Sequence, residues 1–380
     1  MRGDEVGEYG REIFVRAYGS PPERVWQAPG RVNLIGEHTD YQEGLCLPMA
    51  IDLQVVAAGR RRADGVLRAY SATLDRWAEA RVEGLAPGPR GDWFNYVAGV
   101  AAELGLSGGA DLAVGGDVPL GAGVSSSAAL EVAVGGLLDA LYGLGCAPED
   151  LAAAGRRAEH RFAGVETGVM DQLASALAEE GHALLLDTRS GEATPVPFRP
   201  GAAGLRLAVV DTRVTHQVTG GGYQERVGEA RAAAAALGLP SLRNATPAAV
   251  ARLEDPVLAR RARHIVTENL RVLEVVEAAS RDEWARVGRA LYASHRSLAE
   301  DYAVSCAALD AVVSAAAATP GVFGARMTGA GFGGSAIVLL DAAAEDPFRA
   351  SLGQAWIEGG WPDFVYRDVD PAAGAGEALE

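Results

Sequence analysis

The chain contains no lysine, since all 34 of its basic residues are arginine. This absence excludes a Walker A lysine on a nucleotide phosphate, a pyridoxal Schiff base and a lysine general base. The 50 acidic residues outnumber the basic ones, which gives a formal net charge of −16. A nucleic-acid surface requires a basic face, so we expect no nucleic-acid partner and only a few local donors for any phosphate ligand.

Cysteine is scarce as well. Cys46, Cys146 and Cys306 lie far apart, and no CxxC or HExxH spacing occurs. This pattern favours a reduced compartment over a disulfide framework or a zinc site. The longest uncharged stretch, 311–325, contains Pro320 and glycines, so it is too short and too broken for a membrane span. We therefore expect a cytoplasmic protein with no membrane partner.

The length and the hydrophobic pattern predict two domains that mix helices and strands. A chain of 380 residues, 49% of them hydrophobic, can bury two cores. Helix-like and strand-like segments interleave, which favours an α/β or α+β class over a helical bundle. The Pro/Gly-rich stretch 197–204 is the candidate domain boundary, and 371–380 is expected to be a loose tail. Helices are predicted at 93–106, 148–162, 170–179 and in a series within 224–319, and strands at 50–60, 111–118, 205–211, 324–328, 335–340 and 363–367.

A glycine- and serine-rich segment, 119–130, precedes an amphipathic helix. Glycine lets a backbone approach a ligand closely, and a helix N-terminus favours an anion. No lysine or arginine stands nearby in the sequence, so a phosphate here would rest on backbone amides and on Ser125, Ser126 and Ser127. The simpler interpretation is that a serine here only caps the helix.

A second segment, 28–41, concentrates polar side chains between glycines. It contains Arg31, Glu37, His38 and Asp40 within ten positions. Arginine can neutralise phosphate oxygens with a forked geometry, and carboxylates beside a histidine suit the hydroxyls of a sugar. The alternative is an ordinary polar surface loop.

A third segment places Glu159 at the end of one predicted helix and Asp171 at the start of the next. Two acids at the edges of a short loop can set a metal ligand beside a catalytic carboxylate. The alternative for Asp171 is a simple partner of the helix dipole.

A second glycine loop, 328–335, formally matches GxGxxG. A dinucleotide site requires a helix to begin at such a motif, whereas the following residues, 335–340, are strand-like. We therefore reject the dinucleotide interpretation and expect a tight turn that lines a site.

Together these segments resemble the signature motifs of the GHMP family of small-molecule kinases. The motifs occur in the family's order, with 91 residues from Gly30 to Gly121 and 208 from Gly121 to Gly329. Segment 28–41 is similar to the sugar signature of the galactokinase branch, which the other branches lack. The resemblance covers most of the chain and includes 92–96 and 168–172.

The resemblance implies a two-domain GHMP kinase fold. Residues 1–198 would form an N-terminal domain of the ribosomal-protein-S5-domain-2-like type, and 199–380 a ferredoxin-like C-terminal domain, with the site in the cleft between them. The implied reaction is ATP-dependent phosphorylation of D-galactose at the C1 hydroxyl, which gives galactose 1-phosphate and ADP, with Mg²⁺ as cofactor. The implied substrates are galactose and ATP, and we expect a monomer.

The resemblance also implies roles for individual residues. Asp171 matches the catalytic aspartate at the C1 hydroxyl, and Arg31 matches the arginine that contacts this hydroxyl and the transferring phosphoryl group. The sugar-binding positions match Glu37, His38, Asp40, Gly168 and Tyr223. The phosphate loop matches Gly121, Ala122, Gly123, Val124, Ser125 and Ser126, and the aromatic pair near adenine matches Trp93 and Tyr96. The Mg²⁺ ligands match Ser127 and Glu159.

The sequence departs from the family pattern at two places, and two alternative functions remain open. Gln42-Glu43-Gly44 stands where Asn-Gly-Gly is usual, and Asp211 where asparagine is common, which affects the expected sugar preference. A related kinase could act on N-acetylgalactosamine or arabinose. A sugar sensor on the same scaffold would be expected to lack part of the phosphate loop or the catalytic acid. A hydride-transfer enzyme that uses the loop 328–335 is disfavoured together with the dinucleotide interpretation.

Overall fold

The three-dimensional structure is a computed structural model that describes residues 4–165, 167–215 and 222–378. The α-helices in these ranges are α1 (Asp4–Tyr18), α2 (Phe94–Glu103), α3 (Ser126–Tyr142), α4 (Pro148–Ala158), α5 (Met170–Leu177), α6 (Gly222–Ala236), α7 (Pro247–Val250), α8 (Pro256–Ala279), α9 (Trp284–Glu300), α10 (Ala307–Ala318) and α11 (Glu345–Gly359). A π-helical turn, Glu159–Ala163, follows α4, and short 3-10 turns occupy Asp40–Gln42, Pro200–Ala203, Leu242–Asn244 and Ala342–Ala344. No helix in the described part of the chain is both long and apolar enough to cross a bilayer.

The strands form three sheets. Their bounds are β1 (Arg24–Asn33), β2 (Leu45–Cys46), β3 (Pro48–Arg62), β4 (Val66–Ser71), β5 (Arg76–Arg81), β6 (Gly109–Gly116), β7 (His182–Asp187), β8 (Glu192–Pro197), β9 (Leu205–Thr215), β10 (Val322–Thr328), β11 (Gly333–Asp341), β12 (Val365–Val369) and β13 (Gly376–Glu377). The six-stranded sheet has the order β13-β1-β3-β6-β4-β5, the four-stranded sheet β10-β11-β9-β12, and the three-stranded sheet β2-β7-β8.

The six-stranded sheet carries helices on both faces. Helix α3 packs across β1 and β3, and α2, α4 and α5 pack around α3. Helix α1 covers the opposite face through Val6, Ile13 and Phe14, which lie on one side of the helix and are buried. A bulge in β1 between Pro29 and Arg31 shifts the pairing with β3 at the end of the strand that enters the site.

The four-stranded sheet is antiparallel throughout. Helices α9 and α10 pack on β10, and α11 packs against α10. All four strands follow residue 198, although the division into 1–198 and 199–380 stays a prediction.

The prediction of a loose tail at 371–380 was wrong for residues 371–378, which are the part of it that the structure describes. Pro371 pairs with Ile51, and β13 pairs with Trp26 and Gln27 of β1. The end of the chain therefore returns to the first sheet and becomes its edge strand. Two further helices, α1 and α11, were not predicted, whereas the mixed α/β character was predicted correctly.

Candidate active site

One cleft of about 830 Å³ collects most of the predicted site residues. The two glycine loops contribute Gly121, Gly123 and the turn 328–334 to its walls. Of the predicted catalytic and sugar-binding residues, the lining contains Arg31, Asp171, Glu37, His38, Asp40, Gly168 and Tyr223. The polar segment 28–41 is therefore no surface loop: Arg31, Glu37 and His38 are 5%, 2% and 5% exposed.

Arg31 and Asp171 form a bidentate ion pair in this cleft. Arg31 Nε donates to Asp171 Oδ1 at 2.7 Å, and Arg31 Nη2 donates to Oδ2 at 2.6 Å. The third guanidinium nitrogen, Nη1, donates to the carbonyl oxygen of Gly123 at 2.8 Å. Arg31 is therefore fixed between the phosphate loop and the acid, which is more than a helix-dipole role for Asp171 would require.

The glycine- and serine-rich segment 121–126, the predicted phosphate loop, contacts the same pair. Ser125 has a left-handed backbone, with φ of 60°, and its side chain does not cap α3. Its hydroxyl donates instead to Asp171 Oδ2 at 2.5 Å. A non-glycine residue in this conformation is strained and must be held by its surroundings. The capping interpretation is therefore wrong for Ser125, and the amides at the start of α3 remain available to an anion.

Close backbone approach joins this loop to β1. The amide of Arg31 donates to the carbonyl oxygen of Val124 at 3.1 Å. A Cβ atom at Gly30 would lie 2.8 Å from that same oxygen, so only glycine fits there. Val124 and Ala122 are buried in this contact, and Ser126 begins α3.

Glu37 is buried at the base of the cleft. Its Oε1 accepts from the amide of Gly329 at 2.6 Å, and its Oε2 accepts from Asn33 Nδ2. Burial raises the pKa of Glu37 to about 7, against the lowering effect of nearby Arg326 and Arg31. The carboxylate therefore links the segment 28–41 to the glycine loop 328–335.

His38 is hydrogen-bonded through both ring nitrogens. Nε2 lies 3.2 Å from the carbonyl oxygen of Ala330, and Nδ1 lies 3.0 Å from the hydroxyl of Tyr41. A carbonyl only accepts, so Nε2 carries the proton and Nδ1 accepts from Tyr41. Burial, together with the neighbouring His264, lowers the pKa of His38 to about 3. A neutral His38 thus connects the segment 28–41 to the loop 328–335 through hydrogen bonds.

Asp40 and Gly168 meet at the far side of the cleft. A Cβ atom at Gly168 would lie 1.8 Å from Asp40 Oδ2, so this position admits only glycine while Asp40 keeps its place. Burial and the charge of Asp171 raise the pKa of Asp40 to about 6. Tyr223, in the first turn of α6, completes this wall with its ring centroid 5.6 Å from that of His38.

Ser127 and Glu159 lie together behind the phosphate loop. Ser127 Oγ donates to Glu159 Oε1 at 3.4 Å, while Glu159 Oε2 accepts from Thr167 Oγ1 at 2.5 Å and from Gln172 Nε2 at 3.1 Å. These bonds leave Oε1 directed toward Ser127. Among the described residues no group of three or more His, Cys, Asp or Glu side chains could hold a metal ion. A hydroxyl and one carboxylate nevertheless fit Mg²⁺, which commonly takes its other ligands from water and phosphates.

The predicted aromatic pair lies outside the lining of the main cleft. Trp93 precedes α2 and Tyr96 lies in its first turn. Burial and the nearby carboxylates of Glu159 and Glu131 raise the pKa of Tyr96 to about 12. The charges of Glu159 and Glu131 therefore act on Tyr96, and the contact of both rings with adenine stays a prediction.

The sequence analysis missed several residues of the site. It did not single out Arg90, which lines the cleft together with Gly121 and Gly123, whereas Arg31, which bonds to Gly123, was predicted to contact the transferring phosphoryl group. It also missed Arg326, which lies 3.6 Å from Glu37. The signal for Arg326 was available, because a charged residue stands inside an otherwise apolar strand just before a glycine turn.

Three family signatures match successive parts of the chain. The galactokinase galactose-binding signature matches residues 12–61, the GHMP kinases N terminal domain matches 95–179, and the GHMP kinases C terminal domain matches 275–358. Their order agrees with the order of the motifs.

Curated relatives are similar over nearly the whole chain. A galactokinase from Streptomyces coelicolor is 46% identical over 97% of this chain and 97% of its own length. A galactokinase from Chloroflexus aggregans is 42% identical over 89% of each chain.

Solved structures share the same fold. The galactose complex of Lactococcus lactis galactokinase superposes with a TM-score of 0.92 at 32% identity, and the match covers 98% of this chain and 100% of that one. Mevalonate kinase from Methanococcus jannaschii matches in fold alone, with a TM-score of 0.67 at 17% identity over 91% of this chain and 98% of that one.

Proposed function

The chain belongs to the galactokinase family of GHMP kinases, and from this premise we propose that it transfers the γ-phosphoryl group of ATP to the C1 hydroxyl of D-galactose. The products are galactose 1-phosphate and ADP. The observation that carries the proposal is the bidentate Arg31–Asp171 pair, which lies between buried acids on one side and a helix N-terminus on the other. The predicted compartment remains the cytoplasm.

Asp171 acts as the base and orients the attacking hydroxyl. Phosphoryl transfer depends mostly on in-line positioning and on neutralising charge. Two Arg31 donors and Ser125 hold the carboxylate in one orientation, and its remaining lone pairs can accept the C1 hydroxyl proton. The ordering of Asp171 before substrate binds supports this role.

Arg31 stabilises the transferring phosphoryl group. Its guanidinium spans the carboxylate of Asp171 and the carbonyl of Gly123, which sets a fixed positive charge between the acceptor and the phosphate loop. Arginine suits this position because it stays charged and its donors have a planar, forked arrangement.

Glu37, His38, Asp40, Gly168 and Tyr223 form the galactose pocket. Glu37 and Asp40 are buried carboxyl groups whose free acceptor positions can receive sugar hydroxyls. An epimer that leaves such a buried group without a partner loses about 1–3 kcal/mol. His38 supports the pocket from its own hydrogen bonds, and Gly168 leaves room for Asp40.

The segment 121–126 holds the triphosphate with backbone amides and hydroxyl groups. Ser127 and Glu159 hold Mg²⁺, and Trp93 and Tyr96 flank the adenine. When bound, Mg²⁺ neutralises negative charge on the phosphate oxygens. The hydrogen bonds from Thr167 and Gln172 to Glu159 support this role because they fix the carboxylate in place.

A sugar panel tests the proposed function. Galactose, N-acetylgalactosamine, arabinose and glucose are each supplied with ATP and Mg²⁺, ADP release is measured, and the phosphate position in the product is determined by NMR. Galactose should give the highest kcat/KM, with phosphate on C1. A higher kcat/KM for another sugar would identify a related sugar kinase, and sugar binding without ADP release would identify a sensor.

A further inference from the structure

Arg326 is a buried arginine between the four-stranded sheet and the end of β1 in the six-stranded sheet. It lies on β10 with 0% of its surface exposed. Nη1 donates to the carbonyl oxygens of Asn33 and Leu34, at 2.9 and 3.1 Å, and Nε donates to Ser294 Oγ at 3.1 Å. The guanidinium therefore joins the last residues of β1 to α9.

The remaining guanidinium nitrogen faces two buried carboxylates. Nη2 lies 3.6 Å from Glu37 Oε2 and 4.0 Å from Glu268 Oε1, and it has no hydrogen-bond partner among the residues that the structure describes. Glu268 is satisfied elsewhere, because it accepts from the amide of Gly36, from Ser294 Oγ and from Arg271 Nε. Glu37 is the carboxylate that Arg326 approaches most closely.

A charge buried in this way is costly unless it compensates another charge. Glu37 is a buried carboxylate, and burial favours the neutral acid. A neutral Glu37 would lose acceptor capacity toward a sugar hydroxyl. Arg326 supplies positive charge beside Glu37 without occupying its lone pairs, since no hydrogen bond joins the two side chains.

We propose that Arg326 is a positioning residue for galactose binding, whose buried charge favours the ionised form of Glu37 beside the sugar. This inference rests on the proposed function, because that function gives Glu37 its sugar ligand. Arg326 does not line the cleft, so it acts on the sugar only through Glu37.

The charged groups around Glu37 come from three elements. Arg326 on β10 and Arg31 on β1 lower the pKa of Glu37, whereas burial and Glu268 on α8 raise it. His264 on α8 is a further titratable group nearby, and its Nε2 lies 3.1 Å from the carbonyl oxygen of Glu37. Burial lowers the pKa of His264 to about 4.

Two other groups in the cleft bear on a pH profile. His38, whose pKa burial lowers to about 3, stays neutral above pH 5. Asp40, whose pKa burial raises to about 6, titrates in every variant alike. Arg326 also lowers the pKa values of His38 and His264, but both histidines titrate well below Glu37. An inflection that moves above pH 7 when residue 326 is changed therefore reports on Glu37.

The test measures galactose KM from pH 5.5 to 9 for the wild type and for Arg326→Met. Wild-type KM should rise at least about tenfold from pH 8 to pH 6, because Glu37 is protonated around pH 7. In Arg326→Met this rise should begin about one to three pH units higher, with little change in ATP KM. Arg326→Lys should restore the wild-type inflection, since it restores the charge.

Two further variants keep the test decisive. Arg60→Met removes an arginine from the ion pair with buried Asp111, 2.8 Å away on the six-stranded sheet, and should leave the galactose profile unchanged. If Arg326→Met fails to fold, Arg326→Met/Glu268→Gln removes a cation and an anion together and should still shift the inflection upward. A raised galactose KM with an unmoved inflection would overturn the inference. A wild type without galactose-dependent ADP release would instead reject the proposed function.

Discussion

Replacing Asp171 by asparagine is the most informative perturbation of the site. Asp171 receives three hydrogen bonds, from Arg31 Nε at 2.7 Å, Arg31 Nη2 at 2.6 Å and Ser125 Oγ at 2.5 Å. An amide offers one acceptor oxygen and one NH₂ group. In either orientation, therefore, one Arg31 donor faces an amide N–H.

Two effects set the size of the expected loss. A general base contributes about 10²–10⁴-fold to the rate, and asparagine cannot accept the hydroxyl proton. A donor left without its partner costs about 1–3 kcal/mol, toward the lower end here because the Asp171 side chain is 29% exposed. We expect kcat to fall about 10²–10⁴-fold, with galactose affinity largely kept and the free energy of unfolding lowered by about 1–2 kcal/mol.

The assay is steady-state ADP release, with galactose binding measured by calorimetry and folding by urea denaturation. Ser125→Ala is the matched control, since it removes one donor but keeps the carboxylate, and its kcat should fall by less than about tenfold. If Asp171→Asn folds and keeps a kcat within about threefold of the wild type, far below the expected 10²–10⁴-fold loss, the base assignment is wrong.

Three further predictions concern Arg31 and the buried carboxylates of the sugar pocket. Arg31→Lys should lower kcat about 10- to 100-fold because the forked pairing is lost, and an unchanged kcat would contradict its role. Asp40→Ala and Gly168→Ala should each raise galactose KM about 5- to 150-fold with little change in ATP KM, since a Cβ at position 168 would displace Asp40; equal loss for both substrates would refute the sugar contact. The pKa of Glu37 is about 7 in the folded protein, against an ordinary 4.5. Protonation of Glu37 therefore stabilises the folded state fully below pH 4.5, and this stabilisation is lost as the pH rises through 7. Glu37→Gln has no titrating group at this position and so avoids this loss. The difference in unfolding free energy, variant minus wild type, should therefore become about 2–3 kcal/mol more positive from pH 5 to pH 8 in urea titrations. A difference that does not change with pH would contradict the buried charge.

The sequence predicted the parts of the fold that local patterns determine. Buried strand β9 and the helix after the serine-rich segment follow from runs and spacings of apolar residues. The GHMP kinase fold, predicted from motif order, is confirmed. The pairing of β13 with β1 joins residues about 350 positions apart, and a two-residue strand has no periodicity to reveal it.

The same distinction between local and long-range features applies to the candidate site. Motifs singled out Arg31, Asp171 and the segment 28–41 because their chemistry is concentrated in short stretches. The structure brings residues of all three to one cleft, and their roles stay predictions. The contact between His38 and the carbonyl of Ala330, and that between Arg326 and Glu37, each join residues about 290 positions apart. Such contacts form only when the six-stranded and four-stranded sheets, with their helices and loops, pack together. No local sequence pattern records that packing.

The most direct test of the account is a crystal structure of the protein with galactose, Mg²⁺ and a non-hydrolysable ATP analogue. We predict that the C1 hydroxyl oxygen lies within about 3.2 Å of an Asp171 carboxylate oxygen, with the γ-phosphate beside Arg31 and in line with that hydroxyl. A sugar bound with a different hydroxyl at Asp171, or a triphosphate seated away from segment 121–126, would contradict it.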